Sequence, residues 1–231
     1  HTLEVLRQQI DLEGRLDELF GPDAARLAAA LAEPLGDELT RREALRFAAL
    51  VHDIGKPSTR DVRDDGRITF MGHDARGQQM VHDLCRRLRA SERFARFLGA
   101  LTRHHLVLGF LVHERPLDRT QVYRYLRRTA PVEVEVTLLS CADRLATRGR
   151  KAEEATAAHL ELARELMSAA LDWREHGPPR VPVRGDELAE ALGLEPGPEL
   201  GRLLGELEQA AYAGEAETPE QAIALARRLR A

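Results

Sequence analysis

Apolar residues recur at the three- and four-residue spacing of a helix along most of the chain. Gly21-Pro22 and the proline-rich segment 177–185 interrupt this pattern, and both are typical of helix ends or linkers. Thr40 and Glu43 have the spacing of a capping box at a helix start. The pattern predicts helices over residues 2–20, 24–33, 40–53, 73–89, 91–106, 119–129, 151–176, 186–192, 198–213 and 218–230.

Residues 131–148 fit two patterns. The sequence "VEVEV" alternates like a strand, whereas "TLLSCADRLA" has helical spacing. A short extended piece is also expected at Ile68 to Met71, inside a loop. The whole pattern predicts an all-α protein with a main domain, residues 1–177, and a small helical tail, residues 178–231.

The third predicted helix ends in "FAALVHDIGKPSTR", residues 47–60, where polar groups follow an apolar run. Gly55 is expected to be the residue just past the helix, and Pro57 prevents its continuation. His52 and Asp53 are therefore expected in the last turn, pointing about 100° apart. The dipeptide His-Asp occurs three times in the chain, so only its surroundings can give it meaning.

The composition is that of a globular protein, because 43% of residues are hydrophobic and 31% are charged. Aromatic residues make up only 4%, so the core must consist mainly of Leu, Ala and Val. No apolar run approaches the ~20 residues of a membrane span. Cys85 and Cys141 provide no disulfide framework, which favours a reducing compartment. We therefore expect a cytoplasmic protein without membrane contact.

The net charge of -4 argues against a protein that coats nucleic acid, but the charge is uneven. Six arginines and one glutamate lie between Arg86 and Arg103. Two further basic groups contain Arg124, Arg127 and Arg128, and Arg144, Arg148, Arg150 and Lys151. These groups are solvated helix faces or, alternatively, a surface for phosphates.

Several histidines and aspartates are spaced as a metal centre would require. Imidazoles and carboxylates from different elements converge in such centres, and one carboxylate can bridge two cations about 3.5–4 Å apart. Asp53 is the candidate bridge. In order along the chain, the candidate ligands are His1, His52, Asp53, His73, His104, His105 and Asp143.

This ordered pattern, H…HD…H…HH…D, resembles the HD-domain superfamily of metal-dependent phosphohydrolases. The resemblance implies a helical bundle that holds two divalent ions, with Mn, Mg, Fe, Ni and Zn all compatible. It implies that His1, His52, Asp53 and Asp143 hold one ion. It implies that Asp53, His73, His104 and His105 hold the other. It also implies that Lys56 reaches a substrate phosphate, so Asp53 and Lys56 are the candidate catalytic residues.

A simpler interpretation exists for each of these residues. A single histidine in a helix is usually a surface or core residue, and Asp143 beside Arg144 could form only a salt bridge. The remaining histidines are interpreted as ordinary: His82, His113, His159 and His176.

The segment "VPVRGDELAEALGLEPGPELGRLLGELEQAAYAGEAETPEQAI", residues 181–223, resembles the tail of bacterial tRNA nucleotidyltransferases. Many of those CCA-adding enzymes and poly(A) polymerase relatives carry an HD domain directly before this tail. Their nucleotidyltransferase head has no counterpart in these residues, and the chain opens at His1 instead of Met. We therefore expect a C-terminal part, with an upstream nucleotidyltransferase domain as a partner.

The sequence leads to two functional hypotheses. The first is a divalent-metal phosphohydrolase that acts on nucleotides or RNA ends, of the 2′,3′-cyclic phosphodiesterase, 2′-nucleotidase or phosphatase type. The alternative is a tRNA-binding part of a nucleotidyltransferase whose HD site is structural or vestigial. Cleavage of signalling or deoxynucleotide triphosphates is a third interpretation, against which the tail argues.

Overall fold

The computed structural model describes residues 1–148 and 152–230. Within these residues, the chain is helical apart from loops, turns and two short hairpins, which confirms the all-α prediction. Arg150 and Lys151 of the predicted basic group lie outside the described residues, as does the first residue of the predicted helix 151–176. None of the described helices is long and apolar enough to cross a bilayer.

The described helices follow the predicted order with three differences. The first predicted helix is two helices, and the predicted helix 91–106 ends at His104 before a separate short helix begins. The ambiguous segment is helical. The helices are α1 Thr2–Gly14, α2 Leu16–Phe20, α3 Ala24–Ala32, α4 Arg41–Val51, α5 His73–Leu88, α6 Glu92–His104, α7 Val107–Leu111, α8 Arg119–Thr129, α9 Glu133–Leu145, α10 Ala152–His176, α11 Gly185–Leu192, α12 Pro198–Ala213 and α13 Pro219–Arg230.

Two antiparallel hairpins flank α4. The first pairs β1 Pro34–Gly36 with β2 Leu39–Thr40, directly before the helix. Thr40 then caps α4, because its side chain accepts from the Glu43 backbone N–H while the Glu43 carboxylate accepts from the Thr40 backbone N–H. The second hairpin, β3 Asp61–Val62 with β4 Ile68–Thr69, includes part of the predicted extended piece.

The chain divides into two compact units. Unit 1 contains His1–Arg115 and Thr129–Arg174, and unit 2 contains Pro116–Arg128 and Glu175–Ala231. In unit 1, α1 and α4 pack against α9, and α5 packs along α6. The core of unit 2 is formed by Leu188, Leu203 and Leu207 together with smaller side chains. The division into residues 1–177 and 178–231 stays a prediction.

Helix α9 is buried on every side, which explains why its sequence alternates without forming a strand. Val134 and Val136 lie in the core, and Glu133 and Glu135 are also buried. Glu135 accepts a hydrogen bond from Arg41 at the start of α4. Because the glutamates are buried beside arginines, the polar positions of "VEVEV" do not mark a solvent-facing edge.

Candidate metal centre

Four helix ends converge in unit 1 and present imidazoles and carboxylates to one another. His1 precedes α1, His52 caps the end of α4, His73 begins α5 and His105 caps the end of α6. Asp53 follows His52, and Asp143 lies in the last turn of α9. The histidines at 52, 73 and 105 are buried, so these groups meet largely out of contact with solvent.

Gly55 allows the approach of α5 to the end of α4. A Cβ at this position would lie 2.1 Å from the backbone oxygen of His73 and 2.8 Å from the backbone nitrogen of Gly77. The φ of Gly55 is -76°, in the right-handed region. Gly55 was expected directly past the helix, with His52 and Asp53 in the last turn, but α4 ends at Val51 and Gly55 lies four residues later. The glycine is required because no space exists for a side chain.

The first group of ligand atoms surrounds the outer oxygen of Asp53. His52 Nε2 lies 3.3 Å from Asp53 Oδ2 and 3.6 Å from Asp143 Oδ1. His1 Nε2 lies 2.9 Å from Asp143 Oδ1 and 3.7 Å from Asp53 Oδ2. Within this group, His1, His52 and Asp53 each offer a ligand atom within 4.8 Å of the others.

The second group surrounds the other oxygen of the same aspartate. His73 Nε2 lies 3.3 Å and His105 Nε2 lies 3.6 Å from Asp53 Oδ1. The two imidazole nitrogens are 3.3 Å apart. Asp53 is therefore shared by both groups, as its predicted bridging position requires.

The backbone fixes which nitrogen each buried imidazole presents. The Nδ1 atoms of His52, His73 and His105 lie 2.8–3.0 Å from the carbonyl oxygens of Ala49, Phe70 and Thr102, three residues earlier in each case. A carbonyl only accepts, so Nδ1 must carry the proton and donate. In the neutral ring, Nε2 then presents a lone pair toward Asp53, which is the form that binds metal ions.

The electrostatics of the cluster favour positive charge. Burial opposes ionisation of Asp53, but the surrounding His105, His52 and His73 lower the pKa of its carboxyl far below the ordinary range. Burial also lowers the pKa of His52, but Asp143 and Asp53 outweigh it and raise that pKa to about 9. Both shifts arise from the attraction between imidazoles and carboxylates in a buried space, where each group favours the charged form of its partner.

The donor set fits a divalent cation. His52 Nε2 and Asp53 Oδ1 are buried and have no hydrogen-bond partner, although buried polar atoms of these types are nearly always paired. Mixed imidazole and carboxylate ligation suits several first-row divalent metals and does not distinguish them. The described residues thus contain two His/Asp groups that could hold a metal ion.

Two predicted site residues are placed differently from the rest. His104 lies in the last turn of α6 and belongs to neither group of ligand atoms found among the described residues. Lys56 is adjacent to the cluster, where its Nζ donates to Asp53 Oδ2 at 2.6 Å. Asp143 is near His1 and His52, and the described residues include no salt bridge between Asp143 and Arg144. The salt-bridge interpretation of Asp143 was therefore wrong.

The sequence reasoning missed the three carbonyls that orient the imidazoles, and it missed Gly77. A Cβ on Gly77 would lie 2.8 Å from Thr102 Cγ2, so this glycine brings α5 close to α6. Each of the three histidines contacts the carbonyl oxygen three residues earlier in the chain. The sequence alone does not reveal these contacts, because they depend on where each helix begins or ends.

Known proteins resemble this chain in sequence. Residues 23–148 match the family described as "HD domain". The matched range includes all the candidate ligands except His1. An A-adding tRNA nucleotidyltransferase of Deinococcus radiodurans is 36% identical over 202 residues, which are 85% of this chain and 45% of that protein. A CC-adding tRNA nucleotidyltransferase of Thermus thermophilus is 32% identical over 180 residues, covering 77% of this chain and 38% of that protein.

A more distant similarity involves a different class of protein. A bifunctional uridylyltransferase/uridylyl-removing enzyme of Mycobacterium tuberculosis is 37% identical over 90 residues, which are 39% of this chain and 10% of that protein. The chain therefore spans less than half the length of each of these relatives.

Proposed function

The chain belongs to the HD-domain family, and from this premise we propose that it is a divalent-metal-dependent phosphohydrolase acting on nucleotides or RNA ends. The proposed reaction is of the 2′,3′-cyclic phosphodiesterase, 2′-nucleotidase or phosphatase type. The observation that supports it most directly is the pair of buried, unpartnered ligand atoms, His52 Nε2 and Asp53 Oδ1, inside a cluster rich in carboxylates and imidazoles.

Each ligand has a proposed role. Two divalent ions, of Mn, Mg, Fe, Ni or Zn, would be held by His1, His52, Asp53 and Asp143 and by Asp53, His73, His105 and His104. When bound, such ions activate water for attack on phosphorus and offset charge on the phosphoryl oxygens. Asp53 would fix the distance between the two ions, because one of its carboxylate oxygens lies in each group of ligand atoms.

Lys56 is proposed to bind the substrate phosphate. Lys56 lines a cavity of about 560 Å³ together with His1, Glu4, Asp143 and Arg148. A phosphate that enters this cavity would meet the cations of Lys56 and Arg148 beside the ligand cluster. These side chains would then position the substrate and offset its negative charge.

The substitution Asp53→Ala tests the proposal. It removes the ligand common to both groups and should lower hydrolysis of a phosphoester panel, including 2′,3′-cyclic nucleotides, by more than about 100-fold. Metal analysis should show loss of bound metal in the same variant. The control is Asp83→Ala, because His82-Asp83 repeats the dipeptide on α5 where the Asp83 side chain is 65% exposed. Unchanged activity of Asp53→Ala would rule the mechanism out.

The alternative is supported by the relatives. Two of them are tRNA nucleotidyltransferases, so a tRNA-binding part with a structural or vestigial metal site is a separate proposal. It predicts that the chain binds tRNA with a steep salt dependence and hydrolyses nothing. An upstream nucleotidyltransferase domain and a cytoplasmic location also stay predictions. Salt titration of tRNA binding together with the phosphoester panel separates the two functions.

A further inference from the structure

A second cavity adjoins the metal centre. It has a volume of about 190 Å³ and shares Asp143 and Thr147 with the larger cavity that Lys56 lines. His105, a candidate ligand, also forms part of its wall. A group bound in this second cavity would therefore lie directly beside the proposed reacting phosphate.

Arg144 is the cation of this second cavity. Its side chain forms no ion pair or hydrogen bond with any residue that the structure describes, and its Nε is buried. Other arginines of unit 1 form ion pairs, as Arg46 does with Glu13 and Arg103 does with Asp74. Arg144 as a whole is half-buried, but a buried N–H without an acceptor is costly unless an anion accepts its hydrogen bond.

The rest of the lining suits an anion with several oxygens. Ser140 Oγ lies 3.0 Å from His159 Nε2, and both residues line the cavity. Burial, assisted by Arg144, lowers the pKa of His159 to about 4, so this imidazole is neutral at physiological pH. Among the described lining residues, Asp143 alone carries negative charge.

The size of the cavity limits what can bind. A cavity of about 150 Å³ holds a benzene ring, so a space of about 190 Å³ can hold a phosphate group but not a whole nucleotide. The planar guanidinium of Arg144 matches the oxygens of a phosphate. Both cavities that share Asp143 are lined by cations, Lys56 and Arg148 in the larger one and Arg144 in the smaller one.

We propose that the second cavity binds a second phosphate of the substrate, with Arg144 as its hydrogen-bond donor. This inference rests on the proposed phosphohydrolase function and specifies its substrates as molecules with two phosphates separated by one ribose. An RNA end and a nucleoside bisphosphate both have this chemistry. Arg144 acts here as a residue that determines specificity.

Calorimetric binding of phosphonate analogues, whose P–C bonds resist hydrolysis, tests the proposal in the presence of Mn²⁺. The ligands are analogues of adenosine 5′-monophosphate, adenosine 3′,5′-bisphosphate and a dinucleotide with a terminal phosphate. In Arg144→Met, affinity for the two-phosphate ligands should fall about tenfold or more, the size of a lost charge-assisted hydrogen bond. Affinity for the monophosphate should change by less than about twofold, since that ligand makes no contact with Arg144.

The control is Arg86→Met, which removes one charge from an exposed side chain on α5. It lies thirteen residues along the helix from His73, or about 20 Å away, and should change none of the affinities. If Arg144→Met melts at a lower temperature than the parent protein, Arg144→Lys replaces it. Lysine keeps the charge but loses the planar fork, so it should still reduce the preference for two phosphates.

The outcomes separate this proposal from the proposed function. Equal losses for all three ligands, or none, would overturn the role of Arg144 even if hydrolysis is found. A selective loss in a protein without hydrolytic activity would support the anion site and reject the phosphohydrolase. Tighter binding of the dinucleotide than of the bisphosphate would identify RNA ends as the source of the two phosphates, and the reverse order would identify nucleotides.

Discussion

Helices α4 and α9 carry a buried polar cluster at each end, and the two clusters differ in where their positive charge comes from. At the helix starts, Arg41 donates to Glu135, and Arg174 of α10 lies 3.8 Å from the same carboxylate. At the helix ends, His52 lies beside Asp143. The start of α4 contacts the start of α9, and the end of α4 contacts the end of α9, so the two helices run in the same direction.

The cluster at the helix starts is built from arginines and glutamates, whereas the cluster at the ends is built mainly from imidazoles and aspartates. Arg41 and Arg174 both lie beside Glu135 Oε1 and offset the charge of this carboxylate, although its Oε2 has no hydrogen-bond partner. At the other end, Lys56 is the ammonium that contacts Asp53, and the buried imidazoles of His52, His73 and His105 direct Nε2 toward Asp53, where the neutral ring offers a lone pair. The comparison indicates that the first cluster serves the fold and the second is built to accept a cation.

Breaking the cluster at the helix starts should have the largest effect on stability. Arg41→Met leaves Glu135 buried with only the more distant Arg174, and should lower the free energy of unfolding by about 3 kcal/mol. Urea denaturation measures the change. Arg96→Met is the control, because Arg96 forms an exposed pair with Glu92 and should cost less than about 0.5 kcal/mol. The double variant Arg41→Met/Glu135→Met should recover most of the lost stability, because no unpaired carboxylate is left buried. If the double variant is as unstable as Arg41→Met alone, this interpretation is contradicted.

Glu133 gives the same cluster a pH dependence. Burial, with a smaller contribution from Glu135, raises its pKa to about 7, although Arg174 and Arg41 oppose the rise. The folded protein therefore holds this proton more tightly than the unfolded chain, so stability falls as the pH rises from about 4.5 to 7. Glu133→Gln should leave stability unchanged near pH 4 and raise it by about 3 kcal/mol at pH 8. Urea denaturation at both pH values tests this direction. A stability gain at pH 4 without one at pH 8 would contradict the raised pKa of Glu133.

Metal binding should stabilise the protein through the other cluster alone. At a free Mn²⁺ concentration about 100 times the dissociation constant, the expected gain is about 2.7 kcal/mol. Thermal melting with and without Mn²⁺ should show this gain in the parent protein and in Glu133→Gln, but not in Asp53→Ala. An equal gain in Asp53→Ala would place the ion elsewhere.

Lys56→Met should have the smallest effect and separates phosphate binding from metal binding. Removal of the ammonium from Asp53 Oδ2 should leave Mn²⁺ affinity unchanged or raise it by a few-fold, since a competing charge is lost. The KM for phosphoesters should rise about tenfold if the ammonium contacts the phosphate. Lys56→Arg keeps the charge and serves as the control. If Lys56→Met instead loses bound metal, the role of Lys56 is to hold Asp53 in place and not to bind phosphate.

The sequence predicted the helices well where apolar spacing and capping agree, as at Thr40 and Glu43. It left "VEVEV" undecided between strand and helix, because burial of Glu133 and Glu135 beside arginines is a tertiary effect that spacing alone does not reveal. It also gave no sign that Pro116–Arg128 belongs to the same compact unit as the C-terminal helices. Contacts between segments that are distant in the chain decided both points.

The candidate site was predictable in its residue types and less so in its geometry. The order of histidines and aspartates marked Asp53 as the shared residue. Neighbouring residues on a helix point about 100° apart, so pattern alone could not distinguish His104 from His105. The structure places His105 Nε2 beside Asp53, while the role of His104 stays a prediction. The sequence analysis placed Arg144 in a basic group, either a solvated helix face or a surface for phosphates, and the sequence does not show the cavity that Arg144 lines.

The absence of a side chain at Gly55 limits how this protein can change. The backbone of Gly55 packs closely against the backbone of His73. The distance between the segment with Asp53 and the segment with His73 therefore depends on backbone atoms and not on side chains. Substitutions in the cavity walls can alter which phosphoester fits and leave that distance untouched. A single methyl group at residue 55 would separate His73 from Asp53, so selection for new substrates should leave this position unvaried.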